Sequence, residues 1–589
     1  MNQPAAERPS QPNETSLSTS TELIAVAESS SLTLIVDASG QAKPEAAAAR
    51  TIASAYDRVQ GSSWNEILVI GVDRLPRTTH SIGTGQTTGS GDTPRLRVVT
   101  KWTKATGHHL VFIRAGCELA DNAADQIRYM LTHNRTLELG YFDSTGYNPL
   151  KPAELIDPCH RPAFSPERLR AQMYLGQMFV VAHPKALAFD PGGSLLVSPS
   201  HSTLGRLAAR CATVAHLPQV LYRYPVDATN ADIGESGGAS VRLADHQARL
   251  DDEEFPATAV LRPGSESIID LEPRLVSTPK VSIIIPTNGS SRLIDEQSVV
   301  LCLQAVESIV ARTTYADYEL VIVITPGAPA GLVVDLLAAI ESQAEARQPT
   351  VRFCRDDRPF NFSDACNRGA VAAAGDVLVF LNDDTKVESA NWLDRLIMYA
   401  TRPNIGAVGA RLLYGDGTIQ HAGIWARGGH PAHRYAGFVA DHPGYMDALS
   451  VPQNCLAVTG ACLAVEADKF VEVGGFSPEF PSSYNDVDLC LKLDDVGYRT
   501  VVDPTVVLSH YEASTRDPVI EDWELEVLHR RWRSVLNADR FDNPHHLAPE
   551  SEEFPAPDPM VTEQKRLAGW LDFHPRLWPP PQLTLENQC

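Results

Sequence analysis

The sequence is short of positive charge. Its 50 Lys and Arg face 73 Asp and Glu, leaving a net charge of -23 over 589 residues. A nucleic-acid binder carries a basic face, so nucleic acid is excluded as a partner. Charge alone would not hold such a chain on anionic lipid either. Paired cysteines are also missing: the ten cysteines stand singly, with no C-x-x-C, and Cys366, Cys462 and Cys490 lie in apolar runs. That is a pattern of reduced, mostly buried thiols rather than a disulfide framework. No charged-then-apolar leader opens the chain, and no apolar run reaches membrane-spanning length. The expectation is a cytoplasmic protein.

What is there suffices for two or three domains, since 43% of the residues are hydrophobic. Residues 1–28, rich in Ser, Thr, Pro, Gln and Glu, read as a disordered tail. A first α/β domain is expected over 29–228. It opens with the strand-like Ser31–Val36, an alanine-rich helical stretch Pro44–Val59 and a second strand Glu66–Val72. A Thr, Ser and Gly-rich loop (77–94) and the apolar run beginning at His109 follow. Strands alternating with helices imply a parallel, doubly wound sheet. The polar segment 229–279, with Asp251-Asp-Glu-Glu254, reads as a linker. A second domain, 280–516, restarts the pattern with strands Val281–Thr287 and Tyr318–Ile324. Residues 517–589 read as a helix, Trp523–Leu536, and a Pro-rich irregular tail.

Within the second domain, Val377–Leu381 is a short apolar run that ends abruptly in Asn382-Asp383-Asp384. Such a run is a strand buried on both faces. Carboxylates at its carboxyl end sit where open α/β sheets bind ligands. Side chains alternate along a strand, so Asn382 and Asp384 can point the same way and share a hard cation. The same run occurs earlier: His109–Leu119 matches Val377–Val387, and Tyr174–Val181 parallels Val458–Val465. The first copy ends in Arg114-Ala115-Gly116, which offers a cation no oxygen side chain. The second copy adds Asp486 and Asp488, with Asn485 as a candidate helix cap, and His510 at a strand end. Between them, His430, His433 and Arg434 read as solvated side chains sooner than as a second metal site.

Residues 281–516 resemble family-2 glycosyltransferases of the GT-A fold, especially the rhamnosyl- and galactofuranosyl-type enzymes of cell-surface polysaccharide assembly. The resemblance rests on Val281–Thr287; Pro359-Phe-Asn-Phe-Ser363 with Asn367 and Gly369; Leu381–Asp384; and Asp416-Gly-Thr-Ile-Gln-His-Ala-Gly423. It continues through Thr459–Cys462, Asn485–Cys490, and His510 with Glu512, Ser514 and Arg516. The first domain is similar to a family-2 unit too, but Ser200, Ser202 and Arg223 lie where acids and a histidine are expected. The resemblance therefore implies two tandem GT-A-like domains, the first a degenerate copy. It implies an inverting transferase that uses Mg2+ or Mn2+ held at Asn382, Asp384 and His510, with Asp486 as general base. Pro286, Thr287, Asn367, Asn382 and Asp383 would contact the nucleotide-sugar donor. The acceptor would be a glycan or lipid-linked glycan, met at the inner face of the plasma membrane. Two departures stand out: Ile324 lies where the family places an Asp, and Thr287-Asn-Gly-Ser replaces an Arg-Asp turn. They keep open a second reading, a non-catalytic tandem module that binds glycan or scaffolds a synthesis complex. A sugar nucleotidyltransferase would need a basic Gly-rich loop, which Asn288–Ser291 is not.

Overall fold

The computed structural model describes residues 31–543, except 56–63, 75–94, 150, 227–238, 266–267, 295, 344–348, 428 and 512–521, together with His545. The expected tail (1–28), the loop 77–94, Glu512, Ser514, Arg516 and the Pro-rich C-terminal stretch lie outside the described residues. The chain folds as two compact units. The described residues up to Glu138, with Val180–Ser194, form one; Leu139–Phe179 and the described residues from Leu195 onward form the other.

In the first unit, β1 (Leu32–Asp37), β2 (Glu66–Ile70), β3 (Arg95–Val98) and β4 (His109–Arg114) are all parallel, in the order β3-β2-β1-β4. Helix α1 (Pro44–Ala55) buries Ala48, Thr51, Ile52 and Ala55. Every residue of β1 is buried, as its unbroken apolar run requires. A buried carboxylate, Glu66, joins the entry ends of these strands. It accepts from Thr33 Oγ1 (3.1 Å) and Thr106 N (2.9 Å) and pairs with Arg97. Gly107 N donates to the same Thr33 hydroxyl at 2.9 Å.

The second unit contains β5 (Leu139–Asn148), β6 (Lys151–Cys159) and β7 (Val214–Pro225); β5 runs parallel to β7 and antiparallel to β6. Next comes the segment read as a linker, and here the expectation is corrected. It forms helix α2 (Ala239–Asp252) and a hairpin of Ala257–Leu261 with Ile269–Pro273. Leu250, Phe255, Ala257 and Leu271 join the main core. The high polarity belongs to the outer face and to pairs such as Arg249–Glu253 (2.7 Å) and Arg170–Glu253 (2.7 Å). Few apolar residues are present, but they are spaced to point inward.

The larger sheet of this unit is built from β8 (Val281–Thr287), β9 (Tyr318–Ile324) and β10 (Thr350–Arg355), then, after helix α3 (Phe362–Ala372), β11 (Val377–Leu381) and β12 (Thr385–Val387). It is completed by β13 (Ile405–Leu413), β14 (Ile419–His421), β15 (Cys462–Glu466) and, after helix α4 (Asn485–Asp495), β16 (Arg499–His510). The order is β10-β9-β8-β11-β15-β13-β16-β12, with β14 on β13 and the short strand Gln453–Cys455 on β16. The first four strands are parallel; β15 runs antiparallel to both β11 and β13. Val377, Val379 and Leu381 enter one hydrophobic cluster, Leu378 and Phe380 the other, so β11 is covered on both faces as its sequence predicts. The expected C-terminal helix is α5 (Asp522–Asn537), whose Leu528 and Leu536 are fully buried. The α/β class is the one expected, with a run of four parallel strands in each unit.

Candidate active site

Strand β11 stops at Leu381, and the turn that follows presents Asn382, Asp383 and Asp384 at the carboxyl end of the parallel strands. The chain then re-enters the sheet as β12, antiparallel to the end of β16, with Thr385 opposite His510. Tyr511 N donates to Asp384 O at 3.0 Å, closing the same junction. This pairing carries His510 back across 126 residues of sequence to the acidic turn.

His510 Nε2 lies 3.0 Å from Asp384 Oδ1 and 3.3 Å from Asn382 Nδ2. Its other nitrogen, Nδ1, is 2.5 Å from Gln420 Oε1, a side-chain acceptor on β14. A carbonyl oxygen there accepts a hydrogen bond from the tautomer protonated at Nδ1, in which Nε2 carries the lone pair. A lone pair and a carboxylate oxygen 3.0 Å apart require a proton or a cation between them. The Asn382 Oδ1 atom is buried with no hydrogen-bond partner. Asp384 Oδ1 and His510 Nε2 offer two donors that a divalent cation could share; Asn382, whose Nδ2 faces His510, would add its oxygen with the amide turned over. Among the described residues no group of three or more His, Cys, Asp or Glu is arranged for a metal; this set has two of those types and an amide.

Thr287, the last residue of β8, donates from Oγ1 to Asp383 Oδ2 (2.6 Å) and accepts from Gly289 N (2.9 Å). Asp383 is therefore fixed across the mouth of the sheet. Pro286 is a buried strand residue beside it.

Asp486 sits in the first turn of α4. Its Oδ2 accepts from Gly460 N and its Oδ1 from Val487 N, both at 2.8 Å. One residue on, Ala461 O accepts from Asn382 N at 3.1 Å. The short turn 459–461 therefore holds the two acidic sites side by side. The cap of α4 is not Asn485 but Tyr484, in the left-handed region at φ 59°, while Asn485 is inside the helix and donates to Ser482 O. Sequence alone favours Asn as a cap, whereas the structure starts the helix at Asn485 and leaves the cap position to Tyr484 without a side-chain hydrogen bond.

That loop is clamped from both sides. Asn367 on α3 donates to Phe476 O (2.8 Å) and accepts from Phe476 N (2.9 Å), and Ser363 Oγ donates to Phe480 O. From the other side, Glu524 on α5 accepts from Ser482 N and Ser483 N. Asp488, fully buried, accepts from Arg531 and from Trp532 Nε1. Asn367 is thus brought to the loop ahead of Asp486, not to the group around Asp384.

Two residues near the site were not among those singled out from sequence. Gln420 is one. The other is Asp356, whose backbone N–H donates to Ile324 O at 2.9 Å, putting a carboxylate beside the apolar end of β9. Hydrogen bonds from Arg358 hold its pKa down to about 2. An acid directly after the strand Thr350–Arg355 was its only signal. Next to Gln420, His421 is completely buried, and burial first, then His433 and His510, push its pKa well below the usual histidine range. It accepts from Gly423 N (3.2 Å) and Thr459 N (3.4 Å), and its Nδ1 meets His433 Nδ1 at 2.9 Å. Arg434 stacks over Trp425 at 4.8 Å and His430 packs against His529.

Residues 282–466 match the family model for glycosyl transferase family 2. An uncharacterized protein of Sinorhizobium fredii, y4gI, is 35% identical over 358 residues, covering 58% of this chain and 37% of that protein. The O-antigen biosynthesis protein RfbC of Myxococcus xanthus is 28% identical over 474 residues, or 77% of this chain and 35% of that protein. The chain therefore spans about a third of the length of these curated relatives. Among solved structures, a mannosyltransferase PcManGT from Pyrobaculum calidifontis in complex with GDP-Man and Mn2+ aligns with 43% of this chain and 63% of its own, at 17% identity and a TM-score of 0.29.

Proposed function

We propose that this chain is an inverting glycosyltransferase that moves a sugar from a nucleotide donor to a hydroxyl of a growing surface glycan. The observation that carries the reading is the convergence of Asp384, Asn382 and His510 one turn away from Asp486. The match to family 2 over 282–466 and the similarity to an O-antigen biosynthesis protein support it.

A sugar hydroxyl is a weak nucleophile and needs a base as it attacks. Asp486 is half-buried, anchored by two backbone N–H groups, and oriented at a helix start. It takes the acceptor proton as the acceptor oxygen bonds to the anomeric carbon and the diphosphate leaves from the opposite side. One displacement of that kind inverts the configuration. Asn382, Asp384 and His510 would hold Mg2+ or Mn2+, which would supply positive charge for the leaving diphosphate. A nitrogen ligand favours Mn2+ over Mg2+. Thr287 and Asp383 line the donor side, with Pro286 behind them. The block that ends in Arg114 is a copy that carries no chemistry. No helix among the described residues is long and apolar enough to cross a membrane; an acceptor on lipid would be met by peripheral association at the inner face.

Ile324, 6% exposed and unable to hydrogen-bond through its side chain, favours a second reading: a module that binds glycan without transferring it. Calorimetry with a panel of nucleotide sugars in the presence of Mn2+ separates the two. Saturable, cation-dependent binding of a donor is expected; binding of none across the panel would favour the module.

A further inference from the structure

Of the sequence blocks quoted above, Asp416–Gly423 has no part in the reaction as described. In the structure it delivers two neighbouring residues of β14, Gln420 and His421, to the two halves of the site. Gln420 is 3% exposed and His510 6%, so their 2.5 Å contact is shielded from water. His421 receives Thr459 N, the first residue of the turn whose Gly460 N holds Asp486 and whose Ala461 O holds Asn382.

We propose that Gln420 is a positioning residue for the cation site: its carbonyl oxygen accepts a hydrogen bond from His510 Nδ1–H, keeps the proton on that nitrogen and so presents Nε2 as a metal ligand. This rests on the cation reading of Asn382, Asp384 and His510. The physical reason is the two-sided nature of imidazole. Only one nitrogen of the neutral ring carries a proton, and the partner of that nitrogen decides which way the lone pair faces. Without an acceptor at Nδ1, the proton is free to reside on Nε2, where it would oppose a cation. Gln420 therefore contributes most to cations that value a nitrogen ligand. Mn2+ gains from it; Mg2+, which relies on carboxylate oxygen and water, gains little.

The test titrates Mn2+ alone into the full-length protein and reads free Mn2+ by electron paramagnetic resonance, with Mg2+ measured by competition. Gln420→Leu should weaken Mn2+ binding by about 10- to 100-fold and shrink the Mn2+ over Mg2+ preference. Gln420→Glu, which keeps an acceptor, should retain both. Gln420→Asn, one methylene too short to reach, repeats the loss should the leucine variant fail to fold; thermal unfolding reports that separately. Wild-type affinity and an unchanged Mn2+ over Mg2+ ratio in a folded Gln420→Leu or Gln420→Asn protein, alongside weakened binding in His510→Ala, would overturn the role of Gln420 alone. No Mn2+ binding by the wild type, or none lost in His510→Ala, would overturn the cation reading and this inference with it.

Discussion

Set side by side, the parallel blocks β3-β2-β1-β4 and β10-β9-β8-β11 share a knot at the ends where their strands begin. In one, Thr33 donates to buried Glu66 and receives Gly107 N; in the other, Ser282 donates to buried Glu319 (2.7 Å) and receives Gly375 N (2.9 Å). Thr33 faces Glu66 in the register and Ser282 faces Glu319. Arg97 and Arg352 cap the two carboxylates. Both glycines are obligatory for space: an added Cβ would lie 2.7 Å from Thr33 N at Gly107 and 2.6 Å from Ser282 N at Gly375. The exits of the same strands share a turn, Cys117 N on Arg114 O and Thr385 N on Asn382 O (both 3.3 Å), but not the side chains that it presents. After β4, Ala115 N binds Asp37 O and Gly116, at φ 97°, gives its N–H to Thr51 Oγ1 on α1. After β11, the same positions carry Asp383, held by Thr287, and Asp384, facing His510. The entry end is constrained by packing, so its residue types persist in both blocks. The exit end is free of that demand and follows the chemistry: carboxylates in one block, Arg-Ala-Gly in the other.

The largest effect expected from this asymmetry is at Asp486. Asp486→Asn keeps one oxygen for one of the two backbone N–H groups, from Gly460 or Val487, and cannot take a proton. Transfer should fall by about 10²- to 10⁴-fold with donor binding preserved, as read by product formation and calorimetry. Next come the shared knots. Gly107→Ala and Gly375→Ala should each destabilise by about 1–3 kcal/mol in denaturant unfolding. Losses of similar size sharpen the equivalence of the blocks, and a neutral Gly107→Ala breaks it. A smaller effect concerns pH. Burial opposes the charge of Glu319, yet bonds from Ser282, Ala374 N, Arg352 and Lys280 hold its pKa down to about 2, below the ordinary 4.5. A depressed carboxylate stabilises fully above its unfolded value and loses that contribution as pH falls toward the folded one. The thermal midpoint should therefore drop between about pH 4.5 and 2, and Glu319→Gln should flatten that limb while lowering the plateau.

The repeated strand is legible in the sequence because a short apolar run and its abrupt acidic end are local signals, while the pairing of Asp384 with the distant His510 comes from the family resemblance alone. The entry knot is not legible there, since Thr33 and Glu66 or Ser282 and Glu319 meet only once strands pair in register. The polar count of 229–279 concealed Leu250 and Phe255, which bury themselves in the core. Asn367 suggested donor contact by its motif, while its amide holds the backbone of Phe476. Gln420 gave no signal by itself, because its meaning comes from the nitrogen it faces on His510.

The central claim is that the exit of one strand, and not its counterpart, forms the cation site for the donor. Mn2+-dependent binding of nucleotide sugars by wild type, Asp384→Ala and Arg114→Ala tests it most directly. The account predicts that Asp384→Ala loses the Mn2+-dependent component while Arg114→Ala binds as wild type does. Undiminished Mn2+-dependent binding by Asp384→Ala, or an equal loss in Arg114→Ala, would contradict it.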